Sequence, residues 1–167
     1  VEDRATLHWL PQELILFNSA ALRRSLKIDL ADTARLLMVE PVIFGRTAMG
    51  ERVTDGAFHD RIDIYRNHQP LYRDAVWLDG NIDSKLAKIA ISGGAVTMAS
   101  VVYVAPDAEG HLDPIRAALP DTAGVTLLRS DMLVLRLVAA DSHLLRRDLL
   151  PVLDRLSRNT LPTSWRL

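Results

Sequence analysis

Two segments that start 29 residues apart near the beginning of the chain share one pattern. In residues 3–9 and again in residues 32–38, alternate positions hold Asp, Ala, Leu and then Trp or Met. In each copy we expect this alternating strand to be followed by a proline and then by a second apolar strand. Alternation with a period of two is typical of strands that bury one face. A repeated unit of this kind favours stacked β layers over a sheet wrapped by helices. The alternative is that two alternating strands simply resemble each other.

Further short strands, separated by turn signals, continue this pattern. We predict strands over residues 25–30, 58–65 and 71–78, the last two as a hairpin, and turns rich in Asn, Asp, Ser and Pro between them. We therefore expect residues 1–84 to form a β-layer portion. Because the sequence opens inside a strand-like segment and without Met, we expect this portion to be truncated at its N-terminal side.

The pattern changes in residues 85–167, which predict strand, helix, strand, strand and helix. The two helices are expected over residues 112–119 and 142–158, with Asp113 and Asp141 as their N-caps and Pro151 as a kink. Residues 84–91 are consistent with a short helix or a linker. The predicted fold class is α+β, mainly β: stacked, β-helix-like layers followed by this C-terminal unit, in one continuous domain.

Composition excludes several classes of protein. The net charge is −1, which gives no general attraction to nucleic acid or to an anionic membrane. There is no cysteine, so disulfides and thiolate metal sites are ruled out. No apolar run reaches the ~20 residues that a membrane-spanning helix needs. We expect a cytoplasmic protein without nucleic-acid or membrane partners.

No catalytic motif is present in the sequence. The five histidines form no HExxH or HxH pair, and there is no GxSxG elbow or phosphate-binding loop. Residues 141–143 spell Asp-Ser-His, but a helix N-cap explains the first two of these residues. From these motifs alone we predict no catalytic residue and no visible active site.

A polar loop follows the strand in the second repeated segment. Gly45 and Gly50 interrupt the chain there, and Arg46, Thr47 and Glu51 lie between or beside them. Loops of this kind present side chains from a rigid strand.

The two carboxylates at this loop, Glu40 and Glu51, have two interpretations. They are ordinary edge or surface residues, or they line an acidic path that passes a hard or borderline cation without binding it tightly. Arg46 could pair with either. Among the tryptophans, we expect Trp9 and Trp77 in the core and Trp165 packed on a partner or back onto the body of the protein.

Five sequence motifs occur in a fixed order along the chain. They read WLPQE-x-ILF, E-x3-FGR-x3-GE, LDG, LRRDLLP and LP-x-x-W, at residues 9–17, 40–51, 78–80, 145–151 and 161–165. Together they resemble the urease accessory protein UreD family, called UreH in some species, and the first two motifs are specific as a pair. The chain is similar to roughly the C-terminal three-fifths of a family member.

The resemblance implies a non-catalytic scaffold for maturation of the nickel enzyme urease. It implies a stacked, helix-like β fold with two C-terminal helices. It also implies three partners: apo-urease, UreF and, through UreF, the nickel-carrying GTPase UreG.

No tightly bound cofactor is implied, only nickel in transit through a water-filled passage. On this basis Glu40 and Glu51 are candidates to line the nickel path, and Arg46, Thr47 and Trp165 are candidates to contact partners. A β-rich interaction module without a nickel role remains an alternative, as does a small hydrolase, for which the sequence shows no nucleophile–base pair.

Overall fold

The computed structural model describes residues 1–166, and its secondary structure is mainly β. The strands are β1 (Thr6–Trp9), β2 (Leu14–Leu16), β3 (Ala21–Leu30), β4 (Arg35–Phe44), β5 (Ala57–Arg66), β6 (Gln69–Asp79), β7 (Thr97–Val104), β8 (Ala123–Arg129) and β9 (Met132–Ala139). The α-helices are α1 (Ile82–Leu86), α2 (Leu112–Ala118) and α3 (Ser142–Ser157), and short 3-10 turns cover Thr47–Met49, Glu109–His111 and Thr163–Trp165. The predicted α+β, mainly β fold class is confirmed.

The chain divides into two compact units that alternate along the sequence. Unit 1 contains residues 1–6, 15–35 and 44–96, and unit 2 contains residues 7–14, 36–43 and 97 onward. No helix within residues 1–166 is both long enough and apolar enough to cross a membrane.

Unit 1 is built on a three-stranded sheet in the order β3-β5-β6. β3 runs parallel to β5, from Ala21 opposite Ala57 onward, and β5 and β6 form the predicted hairpin. The hairpin turn places Asn67 and His68 at φ 47° and 63°, a conformation that Asn tolerates better than most residues. The buried face carries apolar side chains, among them Phe58, which packs edge-on against Phe44 at 5.6 Å between ring centroids.

The two repeated segments lie side by side. The backbone N–H of Arg35 donates to the carbonyl of Ala5 at 2.9 Å, and the N–H of Arg4 donates to the Thr33 hydroxyl at 2.8 Å. Further along, the Gly45 N–H donates to the Leu16 carbonyl at 2.7 Å. The residue numbers increase in the same direction on both sides of these hydrogen bonds. The first layer therefore runs parallel to the second, as in the parallel pair β3 and β5. The prediction of stacked layers is confirmed.

Pro41 does not interrupt its strand, contrary to the sequence prediction. β4 continues through it, with Pro41 opposite Ala99 of β7. On its other side, β4 is next to β1, which ends at Trp9, and to β2, which begins at Leu14. The missing N–H of proline therefore lies near a gap in the ladder, where no donor is needed.

The second sheet has the order β1-β4-β7-β9-β8, with β2 beside β4, and in unit 2 helix α3 packs on β7 and β9. The Asp141 carboxylate caps α3 by accepting from the Leu144 N–H at 2.8 Å, as predicted. The predicted core positions of α3 are all buried: Leu145, Leu149, Val152, Leu153 and Leu156. The Asp113 cap is wrong, because a 3-10 turn precedes α2 and places Asp113 inside its first turn.

Candidate functional site

The candidate site is the turn that leaves β4, residues 44–51. Gly45 has φ +84°, and a Cβ built on it would lie 2.7 Å from the Glu51 carbonyl oxygen. An L side chain is strained at that φ and has no space there. The 3-10 turn Thr47–Met49 follows, and Gly50 closes the turn in the left-handed region at φ +70°. The glycine breaks seen in the sequence are therefore the points where the chain must reverse.

Backbone and side-chain hydrogen bonds between Arg46 and Glu51 close this turn. The Glu51 carboxylate accepts from the Arg46 backbone N–H at 2.9 Å, from Nε at 3.0 Å and from Nη2 at 2.8 Å. The side-chain and backbone hydrogen bonds from Arg46 lower the pKa of Glu51 to about 2, against a small opposing effect of desolvation. Of the two carboxylates that Arg46 could have reached, it pairs with Glu51.

Exposed apolar side chains occur in the turn itself and in the segment that pairs with its start. Ile15, Phe17 and Met49 are 45%, 50% and 76% exposed. The Arg46 guanidinium lies 5.5 Å from the centroid of the Phe17 ring, within range of a cation–π interaction. We call Ile15, Phe17, Arg46, Thr47 and Met49 the motif surface, because it joins the ILF and FGR segments of the sequence.

A cavity of about 280 Å³ opens beside the turn, lined in part by Thr47, Gly50 and Glu51. Two more charged residues line it, Arg52 and Asp83, and they pair with each other at 3.1 Å. Both carboxylates that face the cavity are therefore held by an arginine. Within residues 1–166, no group of three or more His, Asp or Glu side chains is arranged to hold a metal ion.

Glu40 lies in unit 2, on β4 opposite Ser100 of β7, and is 5% exposed. Its Oε1 accepts a hydrogen bond of 2.6 Å from the indole N–H of Trp9. Trp9 itself is 40% exposed and Trp77 is 64% exposed, so the prediction that both lie in the core is wrong. Each ring covers part of a sheet face while its N–H bonds a carboxylate, the amphipathic behaviour typical of tryptophan.

Trp165 is fully buried in unit 2. Its indole N–H donates to the Leu10 carbonyl at 3.0 Å, and the Arg146 guanidinium lies 5.6 Å from its ring centroid. Packing against the body of the protein is confirmed, and within residues 1–166 the buried ring leaves no exposed surface for a partner to contact. The LP-x-x-W segment therefore packs against the WLPQE segment.

Arg146 joins the same motifs by a second route. Its Nη2 donates to Glu13 Oε2 at 3.0 Å and to Gln12 Oε1 at 2.7 Å. Burial raises the pKa of Glu13, but hydrogen bonding and charge from Arg146 outweigh it, and the net pKa is lowered. The pair therefore stabilises the folded chain above the ordinary pKa of glutamate, and this contribution is lost as the pH falls through the lowered value.

The Glu51 carboxyl is expected to titrate at about 2 in the unmodified chain. In Arg46→Gln, the two guanidinium donors and their charge are gone, so the pKa of Glu51 should move toward the ordinary value of about 4.3. Carboxyl-carbon NMR of the labelled chain between pH 1.5 and 7 measures both. Equal midpoints in the two proteins would show that Arg46 does not hold Glu51 in solution.

Comparison with known proteins identifies relatives of the whole chain. The profile of the UreD urease accessory protein family matches residues 1–166. "Urease accessory protein UreD" of Roseobacter denitrificans is 51% identical over 166 residues, which are 99% of this chain and 61% of that protein. The Ruegeria pomeroyi protein of the same name is 47% identical, over 99% of this chain and 64% of that protein. The chain thus spans about three-fifths of the length of these curated relatives.

Proposed function

The chain belongs to the UreD family of urease accessory proteins, and we propose that it acts as a non-catalytic scaffold in urease maturation. In this proposal the full-length protein binds apo-urease and UreF in the cytoplasm, and UreF recruits the GTPase UreG. Nickel then passes to urease without a resident site in this chain. The relatives are named as urease accessory proteins, which supports the maturation role.

The motif surface carries the proposal. Two motifs that identify the family meet there, through the Gly45–Leu16 backbone bond and the Arg46–Phe17 contact. Aromatic residues, Met and Arg are enriched in protein interfaces, and Lys and Glu are depleted. An exposed Phe17 and Met49 beside a fixed Arg46 match that composition.

The turn is also rigid before any partner binds. The Gly45 backbone fixes its start, and Arg46 and Glu51 close it through three hydrogen bonds. A preorganised loop loses less conformational entropy on association than a flexible one. Arg46, Thr47 and their apolar neighbours are therefore suited to a docking role.

For nickel in transit, we propose Glu40 and Glu51 as oxygen ligands that are engaged only briefly. Glu51 is occupied by Arg46 and Glu40 by Trp9, so a cation must displace a hydrogen-bond donor at each carboxylate. That exchange weakens binding and speeds release. Oxygen donors without thiolate or paired histidine suit passage better than storage.

Reversing the charge at the turn is expected to impair urease activation. In full-length protein co-expressed with urease and the other accessory proteins, Arg46→Glu places two carboxylates together and should reduce activation roughly tenfold. Glu51→Ala removes the closure and should reduce it by a smaller factor. Urease activity and nickel content per active site are the measurements, with circular dichroism to verify folding.

A charge exchange provides the matched control. The double variant Arg46→Glu with Glu51→Arg restores an ion pair and should recover part of the activation lost in Arg46→Glu. Normal activation with normal nickel content in both single variants would remove this turn from the function. Apo-urease that is still captured but contains no nickel would instead separate docking from metal transfer.

A further inference from the structure

One face of the β3-β5-β6 sheet carries exposed aromatic rings and unpaired cations. The register places Arg23, His59 and Trp77 side by side across the three strands. The next outward row contains Ser25, Arg61 and Ala75, and the row after that contains Lys27, Asp63 and Arg73. We call these three rows the cation–aromatic face. It shares no residue with the motif surface.

Trp77 is a fixed anchor on this face although 64% of it is exposed. Its ring stacks on His59 with centroids 3.5 Å apart and an interplanar angle of 20°. The indole N–H donates to one oxygen of Asp79, and His59 Nε2 contacts the other oxygen at 2.6 Å. A large ring held on two sides loses little entropy when a partner covers it, which is typical of interface hot spots.

The cations beside the rings have no carboxylate of their own. The Arg23 guanidinium lies 5.7 Å from the Trp77 centroid, and Lys27 Nζ lies 5.0 Å from that of Tyr65. Within residues 1–166, neither Arg23 nor Lys27 forms an ion pair. Both contacts are cation–π pairs at exposed positions, where such pairs are weak. They leave the positive charges available to a carboxylate.

The other cations of the face share one carboxylate. Arg61 and Arg73 both bind Asp63, so one carboxylate serves two guanidinium groups. At the end of the sheet, Asp29 is engaged by His68. The face therefore has an excess of positive charge in a chain whose net charge is −1.

The rows enclose a depression of about 450 Å³. The small side chains of Ser25 and Ala75 form its floor, between the Trp77 row and the Asp63 row. The Arg24–Asp60 pair also borders it and is internally neutral at 2.7 Å. The depression has room for one apolar side chain against Trp77, with cations on either side.

We propose that the cation–aromatic face binds an acidic segment of a partner protein, with carboxylates on Arg23 and Lys27 and an apolar side chain against Trp77. Charge complementarity favours this occupant, because Arg23 and Lys27 are two separate positive groups that can each bind one carboxylate. The interspersed Asp63 and Asp79 disfavour a continuous phosphate backbone. This surface is additional to the motif surface, and the proposal holds whether or not the motif surface docks a urease component.

The test uses a fluorescein-labelled, glutamate-rich peptide with one central phenylalanine, titrated into this chain at low salt and followed by anisotropy. Arg23→Glu and Trp77→Ala are each expected to weaken binding roughly tenfold, as hot-spot residues do. Added salt should weaken binding of the unmodified chain more than that of Arg23→Glu. Circular dichroism verifies that each variant folds.

Lys88→Glu is the matched control, since it makes the same charge change at an exposed position outside the sheet. It should leave peptide binding unchanged, and so should Arg46→Glu on the motif surface. Loss of binding in Lys88→Glu equal to that in Arg23→Glu would reduce the effect to net charge and overturn the proposal. Absence of peptide binding to the unmodified chain would overturn it too, as would equal competition by a single-stranded oligonucleotide.

Discussion

Replacing Trp165 by alanine is expected to lower the free energy of unfolding by about 3–5 kcal/mol, the range for removing a large buried ring. The ring is fully buried in the core of unit 2. Its loss leaves a cavity, deprives the Leu10 carbonyl of its donor and removes the ring that Arg146 contacts. Urea denaturation of this chain, followed by far-ultraviolet circular dichroism, measures the change.

Two further variants isolate the cause. Trp77→Ala makes the same chemical change at an exposed ring and should cost less than about 1 kcal/mol, as surface substitutions usually do. Trp165→Phe keeps most of the packing but not the N–H, and should cost about 1–3 kcal/mol through the unsatisfied Leu10 carbonyl. A Trp165→Ala protein as stable as Trp77→Ala would contradict the buried position of this ring.

The contacts of Arg146 and Trp165 give some of the family's motifs a structural meaning. WLPQE supplies Glu13, Gln12 and the Leu10 carbonyl, LRRDLLP supplies Arg146, and LP-x-x-W supplies Trp165. These residues bind one another within unit 2, so they account for folding rather than for partner contacts. The FGR and ILF segments differ, because Ile15, Phe17 and Arg46 remain exposed after the turn is closed, while Leu16 and Phe44 lie in the core.

Local periodicity was sufficient to predict much of the fold. The β5–β6 hairpin, the Asp141 cap and the buried positions of α3 depend on neighbours within a few residues, and each agrees with the structure. Pro41 and Asp113 were misread because their outcomes depend on context outside the local pattern. The gap between β1 and β2 accommodates the proline, and a preceding 3-10 turn displaces the cap.

The candidate site was predictable only in part. The two glycines and the charges between them indicated an exposed loop, and Arg46 was expected to reach a carboxylate. Phe17 was missed, since only the pairing of β2 with the end of β4 brings its ring to Arg46. The tryptophans were misplaced for a related reason. Hydrophobicity does not show that an indole N–H will serve a carboxylate from an exposed sheet face, as Trp9 and Trp77 do.

Gly45→Ala is expected to destabilise the chain by about 3 kcal/mol and to impair urease activation in the full-length protein. The residue sits at φ +84°, which costs an alanine about 1–2 kcal/mol. The new Cβ would also lie 2.7 Å from a backbone oxygen, that of Glu51, so the turn must shift. The shift pulls Glu51 away from Arg46 and changes how the motif surface is presented. Urea denaturation and the activation assay measure the two effects.

Gly50→Ala distinguishes the cost of the left-handed backbone angle from the cost of the close contact between a Cβ at residue 45 and the Glu51 carbonyl oxygen. Gly50 has φ +70° in the same turn, but a Cβ there would meet nothing within 4 Å. It should therefore cost only the ~1–2 kcal/mol of the left-handed angle and leave the Glu51 pKa near 2. In Gly45→Ala the pKa of Glu51 should rise toward its ordinary value, because its hydrogen bonds to Arg46 are broken. If the two alanine variants lose equal stability and keep the same Glu51 pKa, the close contact between Gly45 and Glu51 does not form in solution, and the turn is not the fixed element that the proposed docking role requires.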